Sequence, residues 1–93
     1  MSSELKQQFD DAVAQVRNAP SDGDFKPSND FKLKMYALFR QATDGDVSGK
    51  RPGMLDPIGR FKYDAWAKLK GMDADTAMSE YIQAVADVEK QYG

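Results

Sequence analysis

Ninety-three residues, 41% of them hydrophobic and 30% charged, allow one globular unit over 1–93 with room for a single core. The absence of both His and Cys removes imidazole and thiolate metal sites and the common nucleophile–base pairs. The net charge of −2 conceals a segregation, because residues 31–70 carry nine of the 13 Lys and Arg against four Asp, a net of +5, and the flanks carry −7.

In chain order, the first predicted helix runs from about Glu4 to Asn18. Leu5, Phe9, Ala12, Val13 and Val16 fall on one face, and Ser2 or Ser3 suits the cap. Pro20, Gly23 and Pro27 then break the pattern into a polar loop. A second helix begins at the Ser28-Asn29-Asp30 capping cluster and continues to about Thr43, with Phe31, Met35, Leu38 and Ala42 as its core stripe.

The connection Asp44–Leu55 holds Gly45, Gly49, Pro52 and Gly53 and exceeds the usual length of a bundle link. Such a segment is functional, or it spans the bundle lengthwise between parallel helices, and Pro52, Met54 and Leu55 can anchor it in order. A third helix starts where Asp56 caps and Pro57 fills the first turn. It places Ile58, Phe61, Ala65 and Leu69 on one face and stops at Gly71. The fourth is capped by Asp73, with Asp75 near the positive dipole end and Met78, Tyr81, Ile82, Val85 and Tyr92 as its apolar stripe. Four helices with one apolar face each make an all-α bundle.

No apolar run approaches a membrane span, the longest being Met35 to Phe39. Met1 to Lys6 lack the basic-then-apolar order of a secretory signal, and without cysteine the cytosol is the default expectation. The cationic middle implies an anionic ligand, and the acidic flanks, which would repel a long polyanion, favour a small phosphorylated one over nucleic acid.

Asp44-x-Asp46-x-Ser48-Gly49 matches the opening of a calcium-binding EF-hand loop. Its twelfth position is Leu55 rather than the required Glu, so no metal site is expected. On the second helix Lys32, Tyr36 and Arg40 recur every four residues with Phe39 adjacent, and on the third Lys62 and Trp66 repeat the pairing. Such rows suit a nucleotide, with rings stacking on a base and cations meeting phosphate. The bland reading is equally physical: aromatics in the core, with cations snorkelling from it.

The order of motifs goes further. Tyr36-Ala37-Leu38-Phe39-Arg40-Gln41-Ala42-Thr43, then Gly45-Asp46, Arg51-Pro52-Gly53-Met54-Leu55-Asp56 and Lys62-Tyr63-Asp64-Ala65-Trp66 closely resemble the acyl-CoA-binding protein family. The likeness continues through Leu69-Lys70-Gly71 and Ala77-Met78 to Tyr81-Ile82. The resemblance implies a four-helix bundle in up-down-down-up order, with the long connection between the second and third helices. It implies a long-chain acyl-CoA ligand, its nucleotide head over the bundle and its acyl chain on apolar helix surface.

By position, Tyr36 and Arg40 lie where the family contacts the head group, and Lys62 matches the lysine that reaches the 3′-phosphate. Tyr81 matches a tyrosine of the same site, and Arg17 lies where relatives often have a contacting lysine. Phe39 and Arg40 replace a usual Tyr-Lys pair, Tyr63 replaces a usual Trp, and Ile58 stands where some relatives have Lys. Phe39 keeps a stacking face without a hydroxyl, and Arg40 keeps the charge with a different geometry.

The expected protein is a monomeric, non-catalytic cytosolic carrier, with no cofactor besides its ligand, passing acyl-CoA to the enzymes that use it. Two other classes stay in view: a helical module for a peptide partner, and a thioester hydrolase with a base such as Asp64.

Overall fold

Four helices build the chain: α1 (Ser2–Arg17), α2 (Asn29–Asp44), α3 (Pro57–Ala67) and α4 (Ala74–Tyr92). The computed structural model describes residues 2–18 and 27–92, with the side chains of residues 2, 3 and 92 excepted. The expected break at Pro20 and Gly23, the capping role of Ser2 or Ser3 and the packing of Tyr92 therefore lie outside the described residues or side chains.

Local chemistry sets the described helix starts. The Ser28 hydroxyl accepts the Phe31 N–H at 3.1 Å, and Asp56 Oδ1 accepts the Gly59 N–H at 3.0 Å with Pro57 in the first turn. At α4, Asp73 Oδ2 accepts the Thr76 N–H at 3.1 Å while its Oδ1 takes the Thr76 hydroxyl at 2.6 Å. These hydrogen bonds hold the Asp73 carboxyl below its ordinary pKa.

Contacts at the helix ends fix the topology. At the C-terminal end of α2, the Gly45 carbonyl accepts the Trp66 indole N–H at 2.8 Å, from the C-terminal end of α3. Gln41 and Asp46 meet Met72 and Gly71 at the entry to α4. Consequently α2 and α3 run parallel, and α4 returns antiparallel to them. Gln15 reaches Glu89 at 2.9 Å, which joins the C-terminal ends of α1 and α4. The result is an all-α four-helix bundle in up-down-down-up order.

The core joins Phe9 and Ala12 of α1, Met35, Leu38 and Ala42 of α2, and Ala77, Met78, Tyr81, Ala84 and Val85 of α4. Phe31, Leu69 and Ile82 pack at its edge. Buried among them is Gln41, whose amide donates to Asp46 Oδ1 at 2.8 Å and to the Met72 carbonyl at 2.7 Å.

Two expectations for α3 are corrected. Ile58 and Phe61 do share a face, but it is turned outward, at 67% and 59% exposure. The helix packs through Trp66, 4% exposed, and through Tyr63, whose hydroxyl donates to the Gly49 carbonyl at 3.0 Å. The α-helix also ends at Ala67 rather than Gly71. Leu69 N–H bonds Trp66 O and Lys70 N–H bonds Ala67 O, three residues back, so tighter turns finish the descent. Gly71, at φ 95°, then makes the left-handed reversal.

The long connection is anchored, though not by Met54 and Leu55, which are exposed at 83% and 101%. Arg51 forks onto Asp64 at 2.8 and 2.7 Å, and Asp56 N–H bonds the Gly53 carbonyl at 3.0 Å. Asp46 Oδ1 also accepts the Gly71 N–H at 2.9 Å.

Candidate functional site

Position on α2 decides which side chains can meet. Tyr36 and Arg40 stand one turn apart, and α3 lies alongside, so Lys62 approaches the same face. The Lys62 Nζ sits 5.4 Å from the centroid of the half-buried Tyr36 ring, and the Arg40 guanidinium sits 5.9 Å from it. Arg40 also lies 4.6 Å above the buried Trp66 ring, so Trp66 floors the cluster. Arg40 Nε is 3.0 Å from Asp44 Oδ2 but is not aligned for a hydrogen bond, which leaves a contact of charges.

Arg17, Phe39 and Tyr81 form a second group, contributed by α1, α2 and α4. Arg17 lies 5.7 Å over the Phe39 ring, and Phe39 stacks on Phe9 at 6.0 Å. Phe9 in turn meets Tyr81 edge-on at 5.2 Å. At 4% exposure, Tyr81 is a core residue as well as a site candidate. Burial pushes its phenol above the ordinary pKa, and Arg17 pulls modestly the other way.

Between α1 and α2 lies an open groove of about 460 Å³, walled by the apolar Phe9, Val13 and Phe39 and by the polar Asp10, Arg17, Asn18 and Thr43. Because Phe39 and Arg40 are consecutive, the groove and the Tyr36–Arg40–Lys62 cluster share one border along α2. The arrangement can hold an elongated ligand with an anionic, ring-bearing end and an apolar body. A shallower depression of about 410 Å³ on α4, lined by Asp75, Thr76, Ser79, Glu80 and Gln83, has acidic walls unsuited to an anion.

All six candidates named from the sequence thus lie in these two adjoining groups. Lys32, the first member of the cationic row, is exposed. Trp66 pairs with Arg40 rather than Lys62, since its ring is buried between α2 and α3. Phe9 and Val13 were legible as the α1 stripe, but their second role as groove walls was not. Thr43, exposed at the end of α2, gave no signal. The carboxylates of the calcium-like loop diverge, with Asp44 beside Arg40 and Asp46 accepting from Gln41 and Gly71. The described residues contain no cluster of three acidic groups that could hold a metal.

Comparison with known proteins gives a consistent result. The profile of a family described as Acyl CoA binding protein matches residues 6–85. Acyl-CoA-binding domain-containing protein 5 of Mus musculus is 40% identical over 80 residues, covering 86% of this chain and 16% of its own length. The corresponding 5A protein of Danio rerio is 43% identical over 77 residues, covering 83% and 15%. The chain therefore spans less than a fifth of the length of these curated relatives.

Among solved structures, that of ACBP from Moniliophthora perniciosa superimposes with a TM-score of 0.88 at 39% identity, covering 94% of this chain and 82% of that one. Acyl-CoA-Binding Protein 2 of Oryza sativa gives 0.86 at 32% identity, covering 97% and 94%.

Proposed function

The chain belongs to the acyl-CoA-binding protein family, and on that premise we propose that it binds long-chain acyl-CoA thioesters as a non-catalytic cytoplasmic carrier. The observation that carries the reading is the junction of the Tyr36–Arg40–Lys62 cluster with the part-apolar groove that Phe9, Val13 and Phe39 line. Lys62 takes the 3′-phosphate and Arg40 another phosphate oxygen, through charge-assisted hydrogen bonds. Tyr36 and Phe39 offer ring surface to the adenine. Arg17 and Tyr81 close the head-group site from α1 and α4. The alkyl chain follows apolar helix surface, and a dozen buried methylenes at about 0.8 kcal/mol each contribute roughly 10 kcal/mol before association costs.

Acyl-CoA is the ligand in this reading, and no cofactor is required. The carrier acts as a monomer that holds a pool of acyl-CoA and releases it to enzymes. None of the described helices is long and apolar enough to cross a membrane. A hydrolase reading needs a basic carboxylate at Asp64. The Arg51 fork holds that carboxyl below its ordinary pKa, which makes it a poor base.

Calorimetry with palmitoyl-CoA, free CoA and palmitate tests the proposal, with a thiol reagent added to a parallel incubation. Tight binding of palmitoyl-CoA, much weaker binding of each half and no thiol release are expected. Free CoA binding as tightly as the thioester, or steady thiol release, would refute it.

A further inference from the structure

One acidic residue stands where local rules would not put it. Asp44 is the last residue of α2, at the negative end of the helix dipole, and no basic residue shares that last turn. The helix end does not need its carboxylate, because the Gly45 N–H closes the helix on the Gln41 carbonyl at 3.2 Å. What Asp44 meets is Arg40, one turn back, with Oδ2 3.0 Å from Nε. An exposed pair at this spacing adds little to stability, so the fold alone gives no reason for the charge.

The consequence falls on Arg40. Its guanidinium lies 4.6 Å over the buried Trp66 ring and 5.9 Å from the Tyr36 centroid. Nε is closed to solvent, yet the side chain as a whole is 38% exposed, so an incoming group meets its other atoms. A guanidinium offers an oxyanion two edges, a side edge that includes Nε and an end edge made by the two terminal nitrogens. Asp44 stands at the side edge. No hydrogen bond among the described residues uses the end edge.

We propose that Asp44 is a positioning residue of the head-group site: it holds Arg40 by the inner nitrogen over Trp66 and leaves the terminal pair to take one ligand phosphate in two parallel bonds. This rests on the acyl-CoA reading, but Asp44 itself need not touch the ligand. An untethered arginine gives up rotamer freedom on meeting a phosphate, and a tethered one has already lost it. The carboxylate also repels the phosphate, but both charges are exposed and salt screens them, so orientation outweighs repulsion. A lysine could not be held in this way, because its one nitrogen would serve carboxylate and phosphate together.

Calorimetry with palmitoyl-CoA on a double-mutant cycle tests it, beside NMR of the free protein. Asp44→Asn should weaken binding by about fivefold or more, and Asp44→Glu, which keeps the carboxylate, should stay within about twofold of the intact chain. In the Arg40→Lys background, Asp44→Asn should cause no loss, since no inner nitrogen is there to be held. The Tm of Asp44→Asn should be unchanged or higher, as the charge at the helix end is removed. Without ligand, the Arg40 side-chain protons should show an upfield ring-current shift from Trp66, the one tryptophan, and Asp44→Asn should reduce it. Equal affinity in Asp44→Asn and the intact chain would overturn the proposal, as would the same loss in the Arg40→Lys background. An unchanged ring-current shift would mean that Trp66 alone holds Arg40, which also overturns it. An intact chain that fails to bind palmitoyl-CoA would instead overturn the ligand reading, and the proposal with it.

Discussion

Lys62 is exposed above the Tyr36 ring, and none of the ion pairs among the described residues involves it. Its ammonium can therefore turn to a phosphate without breaking an ion pair. We expect Lys62→Ala to weaken palmitoyl-CoA binding by about 2 kcal/mol. In calorimetry the loss should shrink for an ester lacking the 3′-phosphate, and equal losses on both esters would refute that assignment. Phe39 sits differently, half-buried between the core ring of Phe9 and the cation of Arg17 at a groove wall. A hydroxyl added there reaches the groove, so Phe39→Tyr should leave stability nearly unchanged and raise affinity by at most about 1 kcal/mol. Phe39→Ala should lower both stability and affinity, the former by about 2–4 kcal/mol, since it removes ring area from core and site together. Urea unfolding that shows several kcal/mol lost in Phe39→Tyr would place the whole ring in the core.

At the scale of elements, the seam where α2, the long connection and α4 meet hangs on Gln41 and Asp46. Gln41→Leu keeps the volume but leaves the Met72 carbonyl without its donor, and urea unfolding should register a loss of about 1–3 kcal/mol. The Asp46 carboxyl is held below its ordinary pKa of 3.8, first by the Gly71 N–H and then by Gln41. A depressed folded pKa stabilises above the unfolded value and ceases to as pH falls through the folded one. The intact chain should therefore melt above Asp46→Asn at neutral pH, and the gap should close below the ordinary 3.8. A gap that persists in acid would mean the bonds do not depend on the charge. This seam also marks the limit of sequence reading. Ser28, Asp56-Pro57 and Asp73 announced their helix starts because a cap acts within three residues. The partners of Gln41 lie 5 and 31 residues away, so a buried glutamine left no local trace. Ile58 and Phe61 show the complementary failure, since periodicity tells which residues share a face but not whether anything covers it. Tyr36, Phe39, Arg40 and Lys62 were legible as candidates because they belong to motifs whose order carried the resemblance, whereas the groove walls on α1 were legible only as a core stripe.

Across the whole molecule the packing is uneven. α2 lies against α3 and α4, and α1 lies against α4, while the side of α1 facing α2 is opened by the groove and bridged by Phe9 and Phe39. Under the proposed function, a ligand touching Arg17 on α1 and Tyr36, Phe39 and Arg40 on α2 completes that missing interface. Stabilisation by linkage reaches about 2.7 kcal/mol at a hundredfold excess over Kd. For a domain of this size that corresponds to a rise in Tm of roughly 10 °C or more. Linkage alone says nothing about where the protection falls, but the geometry does. Amides of α1 should gain more hydrogen-exchange protection on adding palmitoyl-CoA than amides of α4, which is already packed on two helices. Arg17→Ala should shrink the α1 gain while leaving the free protein's exchange pattern intact, because its side chain is exposed at the helix end. If palmitoyl-CoA raises Tm yet protects all four helices by the same factor, the ligand is not acting as the missing contact between α1 and α2.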